Sequence, residues 1–113
     1  MENWTIQDSI DCYNIKNWGK DYFSVNDKGH VTVHPDKRSD HAIDLKELVD
    51  QLQARGIGLP ILIRFTDILK HRLGEIHDAF KAAIQEYEYQ GKYSCVYPIK
   101  VNQQRHVVEE ILD

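Results

Sequence analysis

The second half of the sequence alternates short apolar runs with longer amphipathic stretches, and this order constrains the fold most strongly. Residues 61–65 form an apolar run rich in β-branched side chains, which predicts a buried strand. A helix from about 66 to about 87 should follow, because apolar side chains recur there at steps of three and four. A second apolar run, 93–97, and a helical pattern from about 103 complete an order typical of α/β folds with a parallel strand pair. The helical stripe consists of Leu69, Leu73, Ile76, Phe80, Ala83 and Tyr87.

A β-hairpin is expected nearer the N-terminus. Residues 22–25 and 30–33 carry β-branched and aromatic side chains that are typical of strands. Residues 26–29 lie between them and contain Asn, Asp and Gly, which supply turn conformations. Pro35 ends the second strand, because proline has no N–H to donate to a ladder.

Two helix starts can be assigned from capping residues. Asp44 can cap a helix over about 45–55, and Glu47 stands at the spacing of a capping box. Thr66 or Asp67 is expected to cap the longer helix. The longer helix would then connect two parallel strands by a right-handed crossover.

Composition excludes two classes of partner. The 113 residues amount to one domain or part of one, and their 42% hydrophobic content is ordinary for a globular protein. A formal charge of −4 argues against nucleic-acid binding by bulk charge. No stretch approaches the roughly 20 apolar residues of a membrane span, and no signal peptide is recognisable at the N-terminus. We expect neither nucleic acid nor membrane as partner and cytoplasm as the default compartment, although composition does not exclude the periplasm.

Candidate metal ligands and reactive thiols are few. His30 and His34 share one face of a predicted strand and could bind a metal, but no third ligand is indicated. Solvated histidines are therefore favoured, and no metal site is predicted. Cys12 and Cys95 form no CxxC pair and are expected to be reduced thiols, with Cys95 buried in its apolar run.

Lys100 is the candidate functional residue. It follows the second apolar run, at the end of a parallel strand where α/β folds bind ligands. A lysine that is partly desolvated there can offer its amine as a nucleophile to an aldehyde, although most lysines at strand ends are solvated charges. Tyr97 could stack on a cofactor, but packing is favoured. Asn102 could touch a cofactor, but capping of the next helix is favoured.

The residues around Lys100 resemble a known attachment site. The run 97–102 reads Tyr-Pro-Ile-Lys-Val-Asn and is followed by an apolar pair, 107–108, and a further apolar residue, Ile111. This pattern is similar to the cofactor-attachment signature of the ornithine, diaminopimelate and arginine decarboxylase family. Several further segments resemble the branch of that family that acts on arginine. They are residues 13–18, 22–33, 59–60, 68–73 and 96–103.

The resemblance implies a fold and a site. The fold would be the start of an alanine-racemase-like (β/α)8 barrel that binds pyridoxal phosphate, preceded by a hairpin from an appended β-domain. Residues 1–43 would be the N-terminal segment with the hairpin, and residues 44–113 would be a helix plus the first two β/α units. Lys100 would form the Schiff base with pyridoxal phosphate, and Mg²⁺ would bind outside this chain. The other catalytic groups of the family lie later in the chain or on a partner subunit.

The resemblance also implies a reaction, the conversion of L-arginine to agmatine and CO2 in putrescine and spermidine biosynthesis. The enzyme would be a homo-oligomer that requires the rest of the parent chain. A (β/α)8 barrel takes about 250 residues, so we expect the present chain alone to be inactive. Two alternatives stay open: another barrel enzyme with this cofactor, such as diaminopimelate decarboxylase or an amino-acid racemase, or a small non-catalytic α/β binding module.

Overall fold

Residues 3–113, which the computed structural model describes, form two separate groups of elements. The first unit ends at Arg64, and the second unit comprises Phe65–Asp113. The first contains two short helices, a three-stranded sheet and a longer helix, whereas the second contains a long helix, an extended segment and a terminal helix. The chain is therefore mixed α/β, as predicted, and the sheet within residues 3–113 is antiparallel.

Two short helices precede the sheet, α1 at Ile6–Cys12 and α2 at Ile15–Gly19. Thr5 caps α1 in a capping box: its hydroxyl accepts from the Asp8 N–H at 3.2 Å, and the Asp8 carboxylate accepts from the Thr5 N–H at 2.7 Å. Asn14 is the N-cap residue of α2 and lies in the left-handed region, with φ 52°, but its side chain makes no capping hydrogen bond. Neither helix reaches two full turns, so the sequence offers no repeated apolar spacing by which to predict it.

The predicted hairpin is confirmed. Strand β1 (Phe23–Val25) pairs antiparallel with β2 (Val31–Val33), and Phe23 lies opposite Val33. The short strand β3 (Ile43–Asp44) pairs with the other edge of β2. The central strand β2 therefore has a neighbour on each side, which satisfies its backbone groups.

Asn26 organises the hairpin turn. Its Oδ1 accepts from the N–H groups of Lys28 at 3.1 Å and His30 at 2.9 Å, which is the local bonding that favours Asn in turns. Gly29 occupies the left-handed region at φ 77°, where a side chain would be strained. The turn chemistry on which the hairpin prediction rested is therefore present.

The core of the first unit is small and centred on β2. Val33 is 0% exposed, and Thr32, Ile15 and Tyr22 are also buried. These residues come from β2, from α2 and from the residue that precedes β1. The sheet and the short helices therefore share one hydrophobic centre.

Helix α3 spans Leu45–Ala54, close to the predicted 45–55, and Asp44 is its N-cap as predicted. The Asp44 carboxylate accepts from the Glu47 N–H at 3.1 Å. The reciprocal half of the capping box is absent, because the Glu47 carboxylate pairs instead with Lys28 Nζ at 2.6 Å. The helix ends where Gly56 takes a positive φ and the Ile57 N–H bonds back to Leu52, a common glycine C-cap.

Helix α4 spans Thr66–Glu86 and confirms the long helix predicted from the apolar stripe. The predicted cap is wrong. The N-cap residue is Phe65, which makes no side-chain capping hydrogen bond, so Thr66 and Asp67 lie within the first turn. The error has a physical origin, because the helix begins directly after the apolar run without an intervening polar residue.

The predicted strands at 61–65 and 93–97 are not formed within residues 3–113. Nor are these runs buried as expected, since Leu62 is 77% exposed and Val96 is 84% exposed. A strand is defined by hydrogen bonds to its neighbours, and a barrel strand needs one on each side. The described residues offer these runs no such neighbours.

Helix α5 spans Arg105–Leu112, close to the predicted start near 103. It packs against α4, and Lys70 Nζ lies 3.2 Å from Glu110 Oε2 between the two helices. Over residues 3–113, no helix combines the length and the apolar character that crossing a membrane requires.

Candidate functional site

Lys100 lies in a single helical turn between an extended segment and α5. Residues Ile99–Val101 form one turn of 3-10 helix, closed by a hydrogen bond from the Val101 N–H to the Pro98 carbonyl at 2.9 Å. Pro98 precedes this turn in an extended conformation, and its ring leaves it no N–H to donate. The lysine is therefore carried by a defined turn.

In the extended segment that leads into this turn, side chains point alternately to opposite sides as in a strand, although the segment pairs with no strand in the described part of the chain. A cavity of about 360 Å³ lies between this segment, α4 and α5. Every second residue of the segment lines it, which is the period that places strand side chains on one face. These residues are Tyr93, Cys95 and Tyr97, and Ile99 at the start of the turn also lines the cavity. They face Leu73, His77, Val108, Ile111 and Leu112.

Two side chains hold the residues on either side of the turn. The Tyr97 hydroxyl donates to the Asn102 carbonyl at 3.2 Å, across the Lys100 turn. The Asn102 side-chain oxygen accepts from the Gln104 N–H at 3.0 Å. The prediction that Asn102 caps α5 is wrong in position, because Gln104 is the N-cap residue. Asn102 instead forms an Asx turn that leads the chain into the helix.

Lys100 is exposed, and its amine has no hydrogen-bond or ion-pair partner among residues 3–113. Desolvation of this lysine, which the strand position would produce, is not present in the described chain. A primary amine is the group that condenses with an aldehyde. The attachment role of Lys100 stays a prediction.

A second cluster of polar groups joins the hairpin to α3. His30, Asp44 and Glu47 place ligand-type atoms within 4.8 Å of one another, a grouping that the sequence analysis missed. The Asp44 carboxylate accepts from the Asn26 amide at 2.8 Å and lies 2.8 Å from His30 Nδ1. Glu47 is paired with Lys28, so each of the three clustered side chains already has a partner within the protein. The cluster therefore serves as a polar connection between the turn and the helix cap.

The hydrogen bonds at Asp44 change its titration. Partial burial raises the pKa of this carboxyl, but the hydrogen bonds from the Glu47 N–H, His30 and Asn26 outweigh burial. The pKa of Asp44 falls from 3.8 to about 2 as a result. The carboxylate that caps α3 is thus charged over the whole neutral and mildly acidic range.

The remaining candidate residues are the two hairpin histidines and the two cysteines. His34 does not join His30 in a site, because its ring nitrogens contact the Thr32 hydroxyl at 3.0 Å and the Arg38 carbonyl at 2.9 Å. Both cysteines are free, as predicted. The prediction that Cys95 is buried is wrong, since the unpaired segment leaves it exposed.

Known proteins match this chain along its whole length, although no family model matches it. The run around Lys100 resembles the attachment signature of a class of decarboxylases, and the relatives that match this chain are named as one enzyme of that class. The chain is 52% identical over 113 residues to the biosynthetic arginine decarboxylase of Gloeobacter violaceus, covering 100% of this chain. It is 57% identical over 111 residues to the biosynthetic arginine decarboxylase of Geotalea uraniireducens, and 56% identical over 111 residues to that of Geobacter metallireducens.

The resemblance to biosynthetic arginine decarboxylase that the sequence predicted is thereby confirmed. The two latter matches each cover 98% of this chain. The chain spans only 18% of the length of each of these relatives.

Proposed function

We propose that this chain is a segment of a pyridoxal-phosphate-dependent enzyme that converts L-arginine to agmatine and CO2. The observation that carries the proposal is the identity of 52 to 57% to biosynthetic arginine decarboxylases over essentially the whole chain. The run around Lys100 that resembles the attachment signature lies within this matched length, and Lys100 stands on a defined turn. We propose Lys100 as the residue that holds the cofactor.

The reaction replaces the carboxylate of arginine by a proton, with CO2 as the second product. Pyridoxal phosphate supplies, when bound, an aldehyde for attachment and a sink for the electron pair that CO2 leaves behind. The role of this chain is to present the Lys100 amine at a fixed place. The turn at Ile99–Val101 and the side chains of Tyr97 and Asn102 determine that place.

The finer architecture belongs to the same proposal. Residues 1–43 would contribute the hairpin to a β-domain, and residues 44–113 would begin an alanine-racemase-like barrel, with 61–65 and 93–99 as its first strands. The strand-like alternation of the cavity-lining residues supports this placement of the second strand. We further propose that the parent enzyme is a homo-oligomer that uses Mg²⁺ and serves polyamine biosynthesis.

The lysine assignment is tested with Lys100→Ala in the full-length protein. We expect the visible absorbance of the bound cofactor to disappear and agmatine formation to fall below detection, because alanine has no amine to hold the aldehyde. The matched control is Lys81→Ala, which removes an exposed lysine from α4 and should leave both signals intact. An unchanged cofactor spectrum in Lys100→Ala would remove Lys100 from the proposed role.

The substrate assignment is tested separately on the unaltered full-length protein. Equal concentrations of L-arginine, L-ornithine and meso-diaminopimelate are supplied with pyridoxal phosphate and Mg²⁺, and released CO2 is measured. The proposal predicts CO2 release with arginine far above that with the other two. Preferential release from diaminopimelate would favour the alternative decarboxylase. No release from any amino acid would favour an amino-acid racemase or a non-catalytic module.

A further inference from the structure

We infer that Tyr97 and Asn102 are positioning residues that hold the Lys100 amine in place by closing the turn on both sides. This inference rests on the proposed role of Lys100. It concerns residues of this chain that act through the lysine and touch neither substrate nor cofactor in the proposal.

The turn that carries Lys100 is weak by itself. It consists of three residues and one internal hydrogen bond, from Val101 to Pro98. Turns of 3-10 helix this short have poor hydrogen-bond geometry, and one bond does not offset the entropy of fixing three residues. Additional contacts are therefore needed if the lysine is to keep one position.

Tyr97 supplies such a contact from the entry side. Its half-buried ring lines the cavity between α4 and α5, and its hydroxyl reaches across the turn to the Asn102 carbonyl at 3.2 Å. The hydrogen bond joins the residue before Pro98 to the residue after Val101. The whole turn, with Lys100 inside it, is thereby tied to a side chain that is anchored by packing.

Asn102 supplies the contact on the exit side. Its side-chain oxygen accepts from the Gln104 N–H at 3.0 Å and fixes the direction in which the chain enters α5. Helix α5 in turn packs on α4, as Tyr97 does through the cavity. Both ends of the Lys100 turn are thus anchored on the same pair of helices. A reactive group needs such support to keep a fixed geometry.

The principal test is Tyr97→Phe in the full-length enzyme, because it removes one oxygen and keeps the ring in the cavity. The cofactor is removed, and the dissociation constant for pyridoxal phosphate is measured by fluorescence titration. We expect binding to weaken roughly 2- to 10-fold, the factor that loss of one hydrogen bond produces. We also expect the pH midpoint of the bound cofactor's absorbance to shift, because it reports the environment of the attached lysine nitrogen.

The matched control is Tyr87→Phe. Tyr87 is 77% exposed, and its hydroxyl has no hydrogen-bond partner within the described chain. This variant should bind the cofactor as the unaltered enzyme does. A Tyr97→Phe enzyme with unchanged affinity and unchanged absorbance midpoint would overturn the inference.

A second pair of variants decides the matter if Tyr97→Phe does not fold. Asn102→Ala removes the oxygen that accepts from Gln104, whereas Asn102→Ser keeps an acceptor that can form the equivalent turn. We expect the alanine variant to bind the cofactor more weakly and the serine variant to recover part of the loss. Equal behaviour of the two variants would contradict the inference.

The two proposals fail in different ways. If Lys100→Ala retains the cofactor spectrum, the attachment role is wrong and the inference falls with it. If Lys100→Ala loses the spectrum but Tyr97→Phe and the Asn102 pair behave as the unaltered enzyme, only the positioning role is wrong.

Discussion

The hairpin with its following helix and the segment before Lys100 both have strand-like sequence patterns. They differ in how far nearby residues pair their backbone and bury their side chains. In the first unit, β2 is paired on both edges and Val33 is fully buried. In the second unit, the segment 93–97 is unpaired, and no residue of α4 or α5 is fully buried. Val96, in this segment, is 84% exposed.

The difference shows which interactions each region requires. The hairpin and α3 are completed by residues close in sequence, through the Asn26 turn and the Asp44 cap. The segment before Lys100 has the alternation of a strand, but a barrel strand takes its hydrogen bonds from neighbouring strands. In the proposed barrel, the region that carries the proposed chemistry would therefore be the one that depends most on distant residues.

The largest expected effect comes from a matched pair of valines. In the 113-residue chain, Val33→Ala should destabilise the fold by about 2–3 kcal/mol, because it removes fully buried methyl groups and leaves a cavity. Val96→Ala in the same chain should change stability by less than about 0.5 kcal/mol, because the side chain is already exposed. Thermal unfolding followed by circular dichroism measures both.

The same pair tests whether the Lys100 segment becomes a barrel strand in the parent enzyme. There, Val96→Ala should cost about 2 kcal/mol, because side chains packed against that face of the barrel sheet would cover it. An effect of Val96→Ala that is equally small in the parent enzyme would contradict the proposed barrel placement.

A smaller effect is expected at the two helix starts. Asp44→Ala removes the cap of α3 and leaves the Asn26 amide without its acceptor, so the melting temperature should fall by several degrees. Asp67→Ala should lower it much less, because Asp67 lies within the first turn of α4 and makes no capping hydrogen bond. Equal losses in the two variants would show that Asp44 does not act as a cap.

The smallest effect concerns pH. The pKa of Asp44 is about 2 in the folded chain against the usual 3.8, so the unfolded chain takes up this proton first as the pH falls. The contribution of Asp44 to stability is complete above about pH 4 and is lost as the pH falls through the folded pKa. Asp44→Asn, which keeps a capping oxygen but no charge, should show a shallower loss of melting temperature between about pH 5 and about pH 2. Parallel profiles would contradict the lowered pKa.

The sequence predicted best what local chemistry determines. The hairpin was predicted from turn residues, α3 from the Asp44 cap and α4 from its apolar spacing, and all three are present. The cap of α4 was mispredicted because Thr66 and Asp67 have capping side chains but lie one and two residues inside the helix. Helices α1 and α2 are too short to produce a periodic signal.

Features that depend on distant contacts were predicted less well. An apolar run indicates a tendency to form a strand, but pairing and burial require partners that residues 3–113 do not supply to 93–97. The cluster of His30, Asp44 and Glu47 was missed because it joins a turn to a helix start across an antiparallel pair. Lys100 was predicted as the attachment site from its neighbours in sequence, whereas the hydrogen bond from the Tyr97 hydroxyl to the Asn102 carbonyl required coordinates.

The attachment of the cofactor to Lys100 is tested most directly by chemical trapping in the full-length enzyme. The enzyme loaded with pyridoxal phosphate is reduced with borohydride, digested and mapped by mass spectrometry. The proposal predicts that the reduced cofactor is found on the peptide that contains Lys100 and on no other lysine. Recovery of the cofactor on a different lysine, with the Lys100 peptide unmodified, would contradict it.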